Sequence, residues 1–89
     1  MRVKVGSVAF LTSAGTGYGI GLDDDGHQVE FVGDWRELAA LPDPTKSHVY
    51  VDLQEWQILA IDGAVRLPLS REAMLERARF IRSGLDRML

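Results

Sequence analysis

The sequence predicts a mainly β, α+β fold: a small antiparallel β-barrel or coiled sheet, with a short helix near residues 34–41 and a longer helix near residues 70–84. Three observations predict it. Glycines occupy every second position from Gly15 to Gly21, which indicates a strand with one bare backbone face. Asp25-Gly26 and Asp62-Gly63 are strong two-residue hairpin signals between apolar segments. The residues after position 70 follow helical spacing.

Length and composition indicate a single domain, with a β body over residues 1–69 and an amphipathic helix over residues 70–89. Hydrophobic residues make up 46% of the chain and charged residues 26%, which is typical of a folded protein. The chain has no cysteine, so disulfides, thiolate metal sites and thiol nucleophiles are excluded. Because Met1 to Val5 alternates basic with apolar residues and no apolar run could span a membrane, we expect a cytoplasmic protein without a membrane partner.

The first strand is predicted to change phase near Gly6-Ser7 through a bulge or a bend. Its apolar residues have odd numbers before this point and even numbers after it: Val3, Val5, Val8 and Phe10. A bend of this kind helps a small sheet to curl, which favours a rolled architecture.

The next hairpin is predicted to turn through Asp25-Gly26, which pairs Leu22 with Val29. This register gathers one apolar face, which we expect to lie in the core: Tyr18, Ile20, Leu22, Val29 and Phe31. The opposite face holds glycines and mostly polar residues: Gly19, Gly21, Asp23, Gln28, Glu30 and Val32. We expect Trp35 and Trp56 to pack near the bare glycines, because a large ring can cover backbone that has no side chain.

A short capped helix and a strand are predicted to follow. Asp34 is expected to cap the helix over residues 34–41 by accepting a hydrogen bond from the Glu37 amide, and Pro42 ends the helix. The apolar residues within 48–52 indicate a strand.

The second hairpin is predicted to join residues 56–61 to residues 64–67 through Asp62-Gly63, which pairs Ala60 with Val65. One face then holds Ile58, Ala60, Val65 and Leu67. The other face is half apolar, which predicts a second buried layer beneath a helix.

Ser70 is predicted to cap the final helix, with Leu69 and Met74 placed as a hydrophobic staple. Steps of three and four residues define one apolar stripe: Met74, Ala78, Ile81, Leu85 and Met88. Phe80 lies off this stripe, and it either edges the core or contacts another molecule. Gly84 either ends the helix or lies within it, since the apolar spacing continues beyond it.

Charge is distributed unevenly, although the net charge is only −3. Residues 1–69 carry five basic and ten acidic side chains, whereas residues 70–89 carry five arginines and three acids. Arginine is suited to planar pairing with carboxylates or phosphates, which favours a partner surface on the final helix. The predicted surface consists of Arg77, Phe80, Arg82 and Arg87. The leading hypothesis is a non-enzymatic interaction module that associates with itself or with a protein partner; a solvated helix face with internal Glu–Arg pairs is the alternative interpretation of these residues.

The chain carries no motif that predicts catalysis, a cofactor or a metal. The glycines after Gly15 do not match the dinucleotide or P-loop fingerprints, and the aspartates before Gly26 do not fit the spacing of a calcium loop. His27 and His48 have no second imidazole or thiol at ligand spacing, and no serine lies in a nucleophile-elbow sequence. We therefore assign no catalytic, cofactor-binding or metal-binding residue, and an enzyme is the third functional class.

Residues 6–10, residues 17–20, and Gly26 together with residues 29–32 resemble the first three strands of a cold-shock domain, a member of the OB-fold barrels. The resemblance implies a rolled barrel and the binding of single-stranded nucleic acid, with Tyr18 and Phe31 at stacking positions. The chain departs from the family pattern at three positions, where Thr16 replaces a lysine, Ile20 an aromatic residue and Gly33 a histidine.

The same order of short strands also fits an SH3-like barrel. The alternative function is therefore a single-stranded nucleic-acid binder that uses Tyr18, Phe31 and Trp35. The acidic net charge disfavours it, because affinity for nucleic acid comes largely from neutralising phosphates.

Overall fold

A computed structural model describes residues 1–83 of the chain, which form a six-stranded antiparallel sheet with two helices. The strands are β1 (Arg2–Leu11), β2 (Thr16–Asp23), β3 (Gln28–Gly33), β4 (Tyr50–Asp52), β5 (Ile58–Ile61) and β6 (Ala64–Val65). The helices are α1 (Trp35–Ala39) and α2 (Arg71–Arg82), and a single 3-10 turn covers Glu55–Gln57. The predicted mainly β fold with a short and a longer helix is confirmed at this level.

The strands lie in the linear order β4-β1-β2-β3-β5-β6, and every neighbouring pair is antiparallel. Within residues 1–83 the two edge strands, β4 and β6, do not pair with each other. The expectation of a closed barrel is therefore not confirmed. Neither of the helices described is long and apolar enough to cross a membrane.

The predicted change of phase in β1 is confirmed. The pairing of β1 with β2 shifts by one residue between Val5 and Ser7. Val3 and Val5 before the bulge, and Val8 after it, all pack in one hydrophobic cluster. The bulge thus keeps the apolar residues of a long strand on one side of the sheet.

The predicted register of the β2–β3 hairpin is wrong by one residue. Leu22 pairs with Gln28 rather than with Val29, because the loop has three residues: the Asp23 amide donates to the His27 carbonyl at 3.0 Å. Gly26 closes the loop with a φ of 85°, a conformation that glycine adopts without strain. The Asp23 carboxylate also accepts from the His27 amide at 2.8 Å, which stabilises the longer loop.

A slip of one residue exchanges the two faces of a strand, so the predicted apolar face does not exist. Its members separate: Val29 and Phe31 lie on the side of the bare glycines, which we call the glycine face. Tyr18 lies on the opposite side, which we call the helix face because α2 packs against it. By register, Ile20 and Glu30 share that side. All five of these side chains are fully buried.

The glycine face is filled by a neighbouring ring rather than by the tryptophans alone. A Cβ added to Gly19 would lie 2.2 Å from the Phe31 ring, and one added to Gly17 would lie 2.5 Å from a methyl carbon of Leu38. The bare backbone therefore lets Phe31 and α1 approach the sheet closely. Trp35 packs against the same cluster, as expected, whereas the Trp56 side chain is 66% exposed.

The second hairpin has the predicted register, with Ala60 opposite Val65. Asp62 and Gly63 both have positive φ, as a two-residue turn of this type requires. However, Ile58 and Ala60 do not share a face, because the pairing of β3 with β5 shifts by one residue near Leu59. Leu59 and Ala60 pack on the helix face and Ile58 on the glycine face, so the predicted second buried layer is present.

Both predicted helix caps are confirmed. The Asp34 carboxylate accepts from the Arg36 amide at 2.8 Å, one residue before the predicted partner, Glu37. The Ser70 hydroxyl accepts from the Ala73 amide at 3.1 Å. Each cap satisfies a donor that the first helical turn would otherwise leave unpaired.

The stripe of α2 that meets the sheet is not the predicted one. The inward residues are Ala73, which is buried, Arg77, which pairs with Glu30, and Phe80, which packs against the cluster on the helix face. The predicted members within the described part, Met74, Ala78 and Ile81, are also partly buried but pack against neither hydrophobic cluster. A shift of one residue turns a helix by about 100°. The helix takes this rotation because Phe80 stacks on Tyr18 and Arg77 reaches Glu30. The predictions for Gly84, Leu85 and Met88 concern residues outside the described range.

Candidate functional site

An open groove of about 560 Å³ lies at the end of the glycine face. Its walls include Phe10, Trp35 and Trp56, and its floor includes Gly33. Three aromatic side chains therefore surround one groove that is open to solvent. Exposed aromatic patches of this kind mark sites where proteins bind other molecules.

The floor of the groove is low at Gly33, which brings no side chain into it. Phe10 of β1 pairs with Gly17 of β2, and Gly17 pairs with Gly33 of β3. The Cβ position of Gly17 is occupied by Leu38, whereas a Cβ on Gly33 would meet only the Gln57 side-chain amide, at 3.3 Å. Leu38 therefore covers the backbone at Gly17, and the open part of this row is at Gly33.

The three walls come from three different elements. Phe10 lies near the end of β1, and Trp35 opens α1; their ring centroids are 5.5 Å apart. Trp56 lies in the 3-10 turn, which Gln57 closes by accepting from the Gln54 amide at 2.9 Å. Phe10 is 38% exposed and Trp56 is 66% exposed. The fold therefore leaves the rings of Phe10 and Trp56 open to solvent.

Charged groups at the groove are paired with each other. Arg36 Nη2 lies 3.1 Å from Asp34 Oδ2, and the two side chains are 89% and 41% exposed. The hydrogen bond from Arg36 lowers the pKa of Asp34, so this carboxylate is ionised at neutral pH. Beside Trp56, the Glu55 side chain is 85% exposed and lies 3.3 Å from Arg66. Exposed pairs such as these are weak and are exchanged readily for other partners.

The predicted partner surface on α2 is divided by the structure. The Arg77 side chain is only 12% exposed and pairs with Glu30 through two of its nitrogens, with Nη2 at 2.8 Å from Oε2. Phe80 packs on Tyr18, with ring centroids 5.9 Å apart. Arg82 is exposed, and Arg87 lies outside the described residues. The structure therefore directs two of the four residues toward the protein's own sheet.

The residues of the predicted nucleic-acid surface are not together either. Tyr18 and Phe31 are both fully buried, on opposite faces of the sheet, where neither ring can stack on a base. Trp35 is the member of this set that reaches the groove. The burial of Tyr18 and Phe31 agrees with the prediction that both are core residues.

Sequence reasoning missed the buried carboxylate of Glu30, which it placed on a polar face. Glu30 Oε1 accepts from the Tyr18 hydroxyl at 2.6 Å and from Arg77. Burial, and then the hydrogen bond to Glu30, raise the pKa of Tyr18, so the phenol stays protonated. No buried side-chain polar atom within residues 1–83 lacks a partner. We interpret this network as structural, since its groups are all engaged and none of them lines the groove.

The other polar residues singled out in the sequence are engaged in turns. Asp23 accepts from the amides of Asp25 and His27, and His27 Nδ1 lies 2.7 Å from Asp62 Oδ2. The described residues contain no group of three His, Cys, Asp or Glu side chains arranged to hold a metal ion. These contacts join the ends of the two hairpins.

Few polar side chains line the groove. The polar side chains among its lining residues are Thr16, Asp34 and Arg36; the lining includes no imidazole that could activate the hydroxyl. No family model, no curated protein and no solved structure matches this chain. The function is therefore inferred from the chemistry of the groove.

Proposed function

We propose that this protein is a non-enzymatic interaction module that binds a protein partner, and that the aromatic groove is its principal contact surface. The observation that carries the proposal is the 66% exposure of Trp56 opposite Phe10 and Trp35. Tryptophan is enriched among the residues that dominate binding energy at protein interfaces. A ring left in water by the fold is stabilised when a partner covers it.

The outer side of α2 is a second contact surface in this proposal. Leu75, Arg79 and Arg82 follow helical spacing on the side away from the sheet, and all three are exposed, Leu75 by 53%. They replace Arg77 and Phe80 as the residues expected to contact a partner. The order of three strands, a helix and further strands supports an open relative of the OB-like or SH3-like barrels.

A nucleic-acid partner has less support. Of the three rings in that hypothesis only Trp35 reaches the groove, and the one arginine in the lining, Arg36, is paired with Asp34. The chain as a whole is acidic, so it lacks the charge that draws phosphates to a protein.

Site-specific photo-crosslinking tests the proposal. A benzophenone amino acid replaces Trp56 in one variant and Tyr50 in a control variant, because Tyr50 is also an exposed aromatic, at 46%, but lies on the β4 edge strand. We expect a defined protein adduct from position 56 and none from position 50. Absence of an adduct at position 56, or the same adducts at both positions, would contradict the proposal.

A further inference from the structure

The groove and the outer side of α2 have complementary chemistry. The outer stripe, Leu75, Arg79 and Arg82, presents one apolar side chain and two guanidinium groups on a helix. The groove presents aromatic rings beside the carboxylate of Asp34, with the exposed acids Glu37 and Glu55 on the elements that supply its walls. Guanidinium groups stack on aromatic rings and pair with carboxylates in a planar fork.

The distribution of charge along the whole chain favours the same pairing of an acidic surface with a basic one. Residues 1–69 carry ten acids and five bases, whereas residues 70–89 carry five arginines and three acids. In the monomer α2 packs against the helix face of the sheet in the same molecule, so the outer stripe of α2 faces away from that sheet. The acidic body of one molecule and the arginine stripe of another therefore attract each other.

The contact between Arg36 and Asp34 shows how the groove accommodates an arginine. Arg36 Nε and Nη2 lie 3.4 and 3.1 Å from the two oxygens of Asp34, which is a fork-like approach. Because Arg36 is 89% exposed, it gives up this contact at low cost when another guanidinium competes for the carboxylate.

On these grounds, and resting on the proposed function, we propose that the groove binds the outer stripe of a second copy of this chain. The contact is head-to-tail: the groove of one molecule receives Arg79 and Arg82 of the next, and Arg36 moves aside from Asp34. A head-to-tail contact leaves one groove and one stripe unused in every dimer, so it can continue to longer chains or close into a ring.

Two variants test the pairing by complementation. Trp56→Ala removes the groove, and Arg79→Gln/Arg82→Gln removes the stripe; all three residues are exposed, so the fold is expected to persist. By light scattering over a wide concentration range, we expect wild type to exceed the monomer mass and each variant to remain monomeric. An equimolar mixture is expected to form two-chain species and nothing larger, because only one intact contact remains.

Three outcomes would overturn the inference: a wild type that stays monomeric at every concentration, a mixture that remains monomeric, or association that is unaffected by either variant. A crosslink from position 56 to a different protein would refute self-association while leaving the proposed function intact. Absence of any crosslink from position 56 would contradict both the proposed function and self-association through the groove. Tryptophan quenching by oligothymidylate that disappears at high salt would instead indicate a nucleic-acid partner and would also overturn the inference.

A substitution of Arg36 is expected to change the affinity of self-association in a specific direction. Arg36→Gln removes the internal competitor, so we expect self-association to tighten about two- to fivefold, the range of an exposed ion pair. Lys46→Gln makes the same change of net charge on an exposed loop residue and serves as the control. Asp34→Asn keeps a good helix cap but loses the charge, so it should weaken association. Weaker association in Arg36→Gln, or equal tightening in Lys46→Gln, would contradict the mechanism.

Discussion

The glycine face and the helix face each bury a large ring, Phe31 and Tyr18, but they hold it by different means. Phe31 lies on bare backbone at Gly19, and the cluster around it is entirely hydrophobic. Tyr18 lies beside a buried ion pair and under a helix whose one fully buried residue is Ala73. The stability of the glycine face therefore depends on close packing, and that of the helix face depends on a buried ion pair. Different substitutions should disrupt the two faces.

The largest effect is expected when the ion pair of the helix face loses one partner. Arg77→Met leaves the fully buried carboxylate of Glu30 without its cation, which typically costs about 3–5 kcal/mol of unfolding free energy. Arg71→Met changes an exposed arginine on the same helix and should cost under about 0.5 kcal/mol. Urea denaturation followed by circular dichroism measures both.

The triple variant Tyr18→Phe/Glu30→Leu/Arg77→Met separates the value of the pair from the cost of breaking it. Tyr18→Phe is included because the buried Tyr18 hydroxyl donates to Glu30 and would otherwise lose its acceptor. A buried pair replaced as a unit by apolar residues is often neutral or stabilising, so we expect the triple variant to recover most of the loss. If it is as unstable as Arg77→Met, the helix face depends on the shape of these side chains more than on their charge, and the contrast between the faces fails.

The glycine face should be sensitive to added volume. A Cβ on Gly21 would lie 2.2 Å from the Lys4 carbonyl oxygen, and one on Gly19 would lie 2.2 Å from the Phe31 ring. We expect Gly19→Ala to cost about 1–3 kcal/mol by overpacking, and Gly21→Ala to cost at least as much because backbone must move. Gly33→Ala meets only the flexible end of Gln57, at 3.3 Å, and is the matched control. Equal stability of all three variants would refute the tight packing.

Acid should loosen the attachment of α2 before it affects the glycine face. Hydrogen bonds from Thr12 and Ser13 lower the pKa of Glu76 to about 2. Since the folded-state pKa lies below the unfolded-state value, this contact stabilises the fold above the ordinary pKa of 4.5 and is lost as the pH falls toward 2. The difference in melting temperature between wild type and Glu76→Gln should shrink over that range. A difference in melting temperature that stays constant over that range would contradict the prediction.

The smallest effect is expected at the hairpin ends, which lie outside both clusters. The hydrogen bond to Asp62, followed by the charges of Asp62 and Asp23, raises the pKa of His27 above 6.5. The contact therefore stabilises the fold fully below pH 6.5 and loses its effect as the pH rises through the higher folded-state pKa. The melting temperature of His27→Gln should approach that of wild type in alkaline buffer, and an imidazole that titrates at or below 6.5 by NMR would contradict this.

Local chemistry allowed much of the fold to be predicted from particular residues. The bulge near Gly6-Ser7, the turn at Asp62-Gly63 and the caps at Asp34 and Ser70 each depend on residues within a few positions of each other. Interactions of this short range can be recognised in the sequence from the alternation of apolar residues, from turn residues and from cap residues.

The errors arose where the sequence allowed two local solutions and one further contact chose between them. Asp25-Gly26 allows a two-residue turn, but the Asp23 carboxylate binds two amides of a longer loop, and one extra residue moved Glu30 from the predicted polar face to the buried one. Likewise, α2 has two adjacent stripes that could face the sheet, and the ion pair between Arg77 and Glu30 favours the stripe that contains Arg77.

The sequence by itself determined the order of the strands and α-helices along the chain, the starts of the helices and the uneven distribution of charge, because these follow from neighbouring residues. Only the tertiary structure decided which face of β2 meets α2, and that Phe10, Trp35 and Trp56 surround one groove. Those outcomes depend on register and on the rotation of a helix. A change of one residue in either moves a side chain to a different surface, while the local free energy of the strand or helix hardly changes.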